Sequence, residues 1–318
     1  MTPGRYPEAP VSYLLLNDGQ GTFTESTATL APEMADLGMV TAAAWADLNQ
    51  DGRQELIVAG EWMPIKVFGA QGALLRDQSR QYFERPYRGW WNTLTLADVN
   101  GDGYPDLVAG NHGTNSQVTA SPEAPAELFY DDFDENGAID PIFCTYIQGQ
   151  RYPYLTRDEL LEQLTALRDR YTSYAAYAEE SLEGVLGAGA LEKAGHLTAD
   201  HLETTLFLNE GGQQFKPKAL PKPAQYAPVH AIAVWDADGD GHQDLLLCGN
   251  DHHYKLRLGQ MDANYGVLLR GNGQGNFAYI PQPRSGFCIP GDVRSILRLN
   301  ETLLFGINGG PVTAYRRQ

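Results

Sequence analysis

At 318 residues the chain is long enough to bury a sizeable core, and none of its apolar runs approaches the roughly 20 residues of a membrane span. A net charge of −17, from 40 acidic against 23 basic residues, excludes a nucleic-acid backbone as partner, which needs clustered Lys and Arg, and favours cations. Cys144, Cys248 and Cys288 are odd in number and far apart, so they fit neither a zinc spacing nor a complete disulfide framework and read as buried small hydrophobes.

The opening "MTPGRYPEAP" lacks the charged-then-apolar form of a signal peptide, so either the protein is cytoplasmic or its true start is missing; truncation is the expectation. "LLLNDGQGTF" from Leu14 reads as a strand, an Asn/Gly turn and a strand opening at Phe23. "TAAAWA" then leads into an acid-rich turn, "DLNQDGRQEL" from Asp47, which leaves by the short apolar strand "LIVAG". "KVFGAQGALL" from Lys66 is a looser glycine hairpin. The acid turn returns as "DVNGDGYPDL" from Asp98 between "TLTLA" and "LVAG", and as "DFDENGAIDP" from Asp132 between "ELFYD" and "PIFCTY".

From Thr156 to about Leu202 the period becomes helical, with Leu160, Leu161, Leu164, Leu167 and Tyr171 on one face. Thr156 with Glu159 makes a capping box, and Gly187 with Gly189 suits a helix end. We expect residues 156–202 to be a helical insertion in the unit of the third acid turn, between its second strand and "TTLFLNE", with its apolar face packed on the β-structure. "LFLNEGGQQF" from Leu206 is another glycine hairpin. "AIAVW", the acid turn "DADGDGHQDL" from Asp236, and "LLLCG" follow, then the hairpin "LLRGNGQGNF" from Leu268. "DVRSILRLN", "ETLLFGIN" and "PVTAYRRQ" read as three closing strands.

Each acid turn sets oxygen side chains at positions 1, 3 and 5, a glycine at 6 and an acid at 9, so alternate side chains converge as a hard cation requires. A helical calcium loop would carry Glu at position 12 and run on into a helix; here that position is Val58, Ala109, Phe143 or Leu247, inside a strand. An ordinary polar turn would explain one copy but not four in register. Acid turn and glycine hairpin together define a four-stranded antiparallel unit, the blade of a β-propeller. The expected fold is therefore all-β: a single propeller over 1–318 of about five and a half blades, with cation-binding strand 1–2 loops and one helical insertion. It is either a piece of a longer polypeptide joined to other domains, or a ring closed by pairing its N- and C-terminal strands.

At this point the residues resemble a family. Asp-x-Asp/Asn-x-Asp-Gly-x-x-Asp-Leu between strands looks like the FG-GAP or VCBS repeats of integrin-α-type propellers. "PGRYPEAPVSYLLLNDGQGTFTE", "GEWMPIKVF", "GWWN" and "LGQMDANYGVLL" look like the repeat region of large bacterial surface proteins related to cartilage acidic protein. The resemblance implies up to four Ca²⁺ sites. They are Asp47, Asn49, Asp51 and Glu55 with the Arg53 carbonyl; Asp98, Asn100, Asp102 and Asp106 with Tyr104; Asp132, Asp134, Asn136 and Asp140 with Ala138; and Asp236, Asp238, Asp240 and Asp244 with His242. These positions hold 13 of the 40 acidic residues, and four Ca²⁺ would bring the net charge from −17 to −9. With four carboxylates, the Asp236 turn is expected to bind tightest. Calcium of this affinity implies an extracellular or cell-surface setting.

In a propeller the acid turns and glycine hairpins share one face. The other face would collect Glu61, Trp62, Trp90, Trp91, Asn92, Asn111, His112, His230, Asn250, Asp251, His252, His253 and Tyr254. Aromatic rings with amides and imidazoles suit a carbohydrate or protein ligand, while the tryptophans would equally serve as packing between blades. The expected function is a calcium-stabilised binding, adhesion or structural module of an exported bacterial protein. The rival is a propeller hydrolase or lyase using His112, His252 and His253 beside Glu61 as general acids or bases; no nucleophile elbow, His-Glu-x-x-His or phosphate loop accompanies them.

Overall fold

Short apolar runs that end in glycine become strands sandwiched between neighbouring sheets, buried along their whole length. The computed structural model describes residues 5–253 and 259–316. A two-stranded hairpin, β1 (Leu15–Asn17) and β2 (Phe23–Glu25), comes first. The next sheet is β3 (Met39–Ala46), β4 (Glu55–Pro64), β5 (Lys66–Gln71) and β6 (Leu74–Asp77), with β7 (Arg88–Trp90) paired to the far end of β4. β8 (Thr93–Ala97) and β9 (Asp106–Gly110) open a third sheet.

That sheet is interrupted. β10 (Ala126–Asp131), β11 (Asp140–Ile147), β12 (Gln150–Pro153) and β13 (Gly195–Ala199) form a sheet of their own, in the order β12-β11-β10-β13. Only then do β14 (Thr205–Glu210) and β15 (Gln214–Ala219) complete the sheet of β8 and β9, with Ala109 paired to Thr205 and Leu107 to Phe207. β16 (Val229–Trp235), β17 (Asp244–Gly249), β18 (Val267–Gly271) and β19 (Phe277–Ile280) follow, then β20 (Asp292–Leu299), β21 (Thr302–Asn308) and β22 (Thr313–Arg316).

The strand "TTLFLNE" thus belongs with the second acid turn, not the third as the linear order implied. The whole third unit, helices included, is nested between β9 and β14. The reason is complementarity: Leu206 and Phe207 pair beside Val108 and Leu107 on β9, whereas the corresponding edge of β11 is already taken by β12. The N-terminal hairpin and the β20–β22 sheet are separate, so the described residues contain no shared sheet joining the two termini.

First strands stand side by side, β3 against β8, β8 against β16 and β16 against β20, and apolar side chains fill the spaces between sheets. Ile57, Val67, Trp91, Leu107, Phe207 and Phe215 lie between the second and third sheets. Val108, Leu206, Leu245, Leu247 and Leu269 lie between the third sheet and that of β16–β19, and Leu246, Cys248, Val293 and Phe305 fill the next space. Each such fully buried aliphatic or aromatic side chain contributes about 1.5–3 kcal/mol. The glycines that end these runs are required by close approach: a Cβ on Gly249 would stand 1.7 Å from the Pro228 carbonyl oxygen, and one on Gly60 2.0 Å from that of Met39.

The helical segment has the expected start, with Thr156 and Glu159 forming a complete capping box, but the helix Arg157–Gln163 stops after seven residues. Short turns at Tyr174–Tyr177, Leu182–Leu186 and Ala188–Leu191 follow. Leu160, Leu161, Leu164 and Tyr171 bury against Phe129, Ile142 and Cys144 of the nested sheet, as the apolar face required. Cys144 and Cys248 are buried; Cys288 is exposed, unlike its expected place. No helix among the described residues is long and apolar enough to cross a membrane.

Candidate functional site

Each acid turn is first a folded turn held by its own carboxylates. The position-1 acid accepts the backbone N–H groups of positions 5 and 6 in three turns: Asp47 from Asp51 and Gly52, Asp132 from Asn136 and Gly137, Asp236 from Asp240 and Gly241. In the other, Asp98 accepts from Gly101 and Gly103. The position-9 acid does a second job that the pattern did not announce. Glu55, Asp106, Asp140 and Asp244 are buried and accept the N–H of position 2, from Leu48, Val99, Phe133 and Ala237 at 2.9, 3.0, 3.1 and 2.8 Å. Asp106 also accepts from Asn209, and Asp244 from Gly271, which ties turn to hairpin. Burial, outweighing these hydrogen bonds, pushes the Asp106 carboxyl up to about 6.

Three carboxylates converge in two turns: oxygens of Asp132, Asp134 and Asp140, and of Asp236, Asp238 and Asp240, lie within 4.8 Å of one another. Asp134 Oδ1 is buried and, among the described residues, has no hydrogen-bond partner. In the Asp236 turn Arg270 approaches Asp238 and Asp240, both at 2.8 Å. The other two turns carry Asn49 and Asn100 at position 3, and their carbonyls receive the N–H groups of Asp51 and Asp102.

Gln50 Nε2 donates to the Gly103 carbonyl, Asn209 Nδ2 to that of Leu48, and Gly275 N to that of Val99. The Asp47 and Asp98 turns therefore share one face with the glycine hairpins, as expected. The Asp132 turn departs from the pattern, because Pro141, beside its own Asp140, reaches a cavity on the opposite side.

There β4, β9 and β17, each beginning at a position-9 acid, deliver their far ends to one cavity of about 710 Å³. It is lined by Glu61, Trp62, Trp90, Asn92, His112, His230 and Asp251 of the expected set, and by Tyr6, Phe143 and Tyr154, which sequence reading missed. Pro141, next to the position-9 Asp140, also lines it. The aromatic wall is continuous: Trp62 meets Trp90 edge-on with centroids 5.0 Å apart, Phe143 lies 5.9 Å from Trp62 and 5.8 Å from Trp90, and Tyr154 5.2 Å from Phe143. Trp62 holds a left-handed backbone (φ 58°), rare for so bulky a residue, and its Nε1 donates to Tyr6 Oη at 2.8 Å.

Three polar groups on this wall are under-served. Trp90 Nε1 and His230 Nε2 are buried without a hydrogen-bond partner among the described residues. Glu61 is raised above the usual carboxylate range by burial and then by the charge of Asp251. Burial lowers both imidazoles, His112 to about 4 and His230 to about 4, so both rings are neutral at pH 7. His112 Nε2 lies 3.2 Å from Ser116 Oγ.

Five expected residues do not line the cavity, and a sixth, Tyr254, lies outside the described residues. Trp91 is fully buried in the core, its Nε1 donating to the Tyr87 carbonyl. Asn111 is fully buried, receiving the N–H of Trp90 and donating to the His201 carbonyl. Asn250 joins β17 to Asn264 and Gly291, and His252 and His253 turn away to Asp292.

The turn-and-strand pattern has a counterpart among known families. Residues 8–58 and 47–109 match the model of the FG-GAP-like repeat. These FG-GAP-like repeats cover the first and second acid turns. The chain is also 25% identical over 246 positions to the T-cell immunomodulatory protein of Rattus norvegicus, and 26% identical over 246 positions to that of Mus musculus. Both alignments take in 66% of this chain and only 38% of the relative. A solved lectin of Agrocybe aegerita that recognises non-reducing terminal N-acetylglucosamine is 16% identical, with 85% of this chain and 73% of that one covered, at a TM-score of 0.24.

Proposed function

We propose that this chain is a ligand-binding module of an exported protein, that its recognition site is the aromatic cavity, and that its acid turns take calcium. The cavity wall carries the reading: a continuous run of Trp62, Trp90, Phe143 and Tyr154 with two buried ring nitrogens that have no partner among the described residues. Such a wall offers apolar faces for stacking, and the Trp90 N–H, which has no partner among the described residues, would gain a bond from an incoming acceptor. Sugar rings have both features, so the ligand class is carbohydrate. The calcium reading is supported by the three convergent carboxylates of the Asp132 turn and the orphaned Asp134 Oδ1 among them; Asp132, Asp134, Asn136 and Asp140 would hold the ion. Calcium would neutralise that cluster and make it rigid.

A glycan array probed with wild type, Trp90→Ala and Asn92→Ala decides the question. Binding that disappears in Trp90→Ala is the expected result. A silent array, or one on which both variants bind like wild type, removes the carbohydrate reading. Binding of a peptide library that depends on Trp90 would instead identify the ligand as protein.

A further inference from the structure

Beyond the ligand cavity and the acid turns, a third cluster of donors stands at the joint between β17 and β20. Asp251 and His253 follow β17, and Asp292 opens β20, some 40 residues on. One donor atom from each lies within 4.8 Å of the others. His253 Nδ1 is 3.1 Å from Asp292 Oδ2, and Asp251 Oδ1 accepts the His253 backbone N–H at 2.9 Å. Unlike the acid turns, this set includes a nitrogen.

We propose that Asp251, His253 and Asp292 form a binding site for a transition-metal dication of the zinc type, with water completing the coordination. A mixed set of imidazole and carboxylate is borderline in softness and selects zinc over calcium, which prefers six to eight oxygens. Metal–ligand bonds of about 2.0–2.2 Å require donors a little over 3 Å apart in a tetrahedron. Closing from the present spread needs shifts of about 1 Å, and the His253 side chain, 72% exposed, is free to make them.

The surroundings are built as metal sites are built. Asp292 is 2% exposed, and its Oδ1 is held by His252 Nδ1, so the carboxylate is oriented by a partner outside the ligand set. The two ligand-bearing segments are fixed to each other before any ion arrives. Asn250, in a left-handed conformation (φ 89°), donates to the Gly291 and Asn264 carbonyls and receives the Asn264 N–H. Asp251 exchanges two backbone hydrogen bonds with Met261. Arg294, whose Nη2 lies 3.6 Å from Asp292 Oδ2, spends its Nη1 on the Asn250 carbonyl at 2.9 Å and braces the joint from the strand side. Asp251 lines the ligand cavity too, so the ion would sit at its border.

Untagged protein stripped with chelator and titrated with Co²⁺ tests the site. One equivalent should give visible absorption bands of a low-symmetry complex, bleached by Zn²⁺ and unmoved by millimolar calcium. His253→Gln, which removes a ligand, should weaken Zn²⁺ binding about 100-fold or more, since loss of even an outer partner of a ligand costs about 10- to 100-fold, while Asp134→Ala, in an acid turn, should leave it unchanged. His252→Gln should weaken binding less than His253→Gln. Because Asp292→Asn alters a buried group and puts folding itself at risk, the exposed His253 variant is the decisive one. Absence of the bands, Zn²⁺ affinity unchanged in His253→Gln, or equal competition by calcium overturns the proposal.

Discussion

Arg270 lies across the Asp236 turn with its Nη2 2.8 Å from Asp240 Oδ2, so the most acidic of the four turns already contains a cation. Its Nε reaches Asp238 at the same distance. Charge count alone ranked this turn as the tightest calcium site, but an incoming ion must first displace the guanidinium. We expect Arg270→Gln to strengthen calcium binding at this turn a few-fold, because exposed ion pairs are individually weak. Isothermal titration of the two proteins checks it; superimposable isotherms would refute the competition.

The Asp132 turn should then be the first to fill, since Asp134 offers an oxygen that nothing else engages among the described residues. An ion that binds only the folded chain adds about 2.7 kcal/mol at a hundredfold excess over Kd, on the order of 5 °C in Tm for a protein of this size. Asp134→Ala should lose most of the calcium-dependent part of the melting shift. A melt in chelator that matches the melt in calcium would remove the site.

Position 9 predicts differently. Replacing Asp106 by Ala orphans the buried N–H groups of Val99 and Asn209, at about 1–3 kcal/mol for each unpaired group. Most of the loss should remain in chelator. If it appears only with calcium present, Asp106 is a ligand and not a clamp.

Trp90 and Trp91 should separate binding from folding. Trp91→Ala empties a fully buried site in the core and should cost about 3–5 kcal/mol in urea unfolding. Trp90→Ala should cost clearly less while abolishing ligand binding. Equal destabilisation by both would mean that Trp90 is also a core residue.

Acid should loosen the cavity wall. His112 and His230 titrate near 4 in the folded chain against about 6.5 when unfolded. Below pH 6.5 the unfolded chain therefore binds protons that the folded rings refuse. Stability falls between pH 6.5 and 4, by on the order of 2–3 kcal/mol per ring. Asp106 works in the opposite sense, since its raised value favours folding as pH drops through 6. Urea unfolding in chelator at pH 7.5 and 5 should show His230→Gln losing less stability on acidification than wild type; identical losses would contradict the burial effect.

What the sequence made legible was local. The acid turns and glycine hairpins are short patterns whose hydrogen bonds close within a few residues, and they appear where the pattern put them. Seven of the cavity residues were also legible, because Glu61, Trp62, His112 and Asp251 stand one strand-length beyond a position-9 acid. The nesting was not, since the pairing of Ala109 with Thr205 leaves no trace in either segment. Phe143 could have been found by alternation: Ile142 and Cys144 face the helical segment, so the residue between them must face the other way. The same argument separates Trp90 from Trp91.

The nested order also has a kinetic meaning. The pairing of Ala109 with Thr205 must wait until the intervening segment, with its own sheet and helices, has brought its ends together. Such a contact of long sequence separation forms slowly and late. The cavity draws Trp90 and His230 from the two sides of that closure and His112, Phe143 and Tyr154 from inside it. Ligand-binding activity would therefore be the last property a refolding chain recovers, a sensitive sign that the whole topology has been completed.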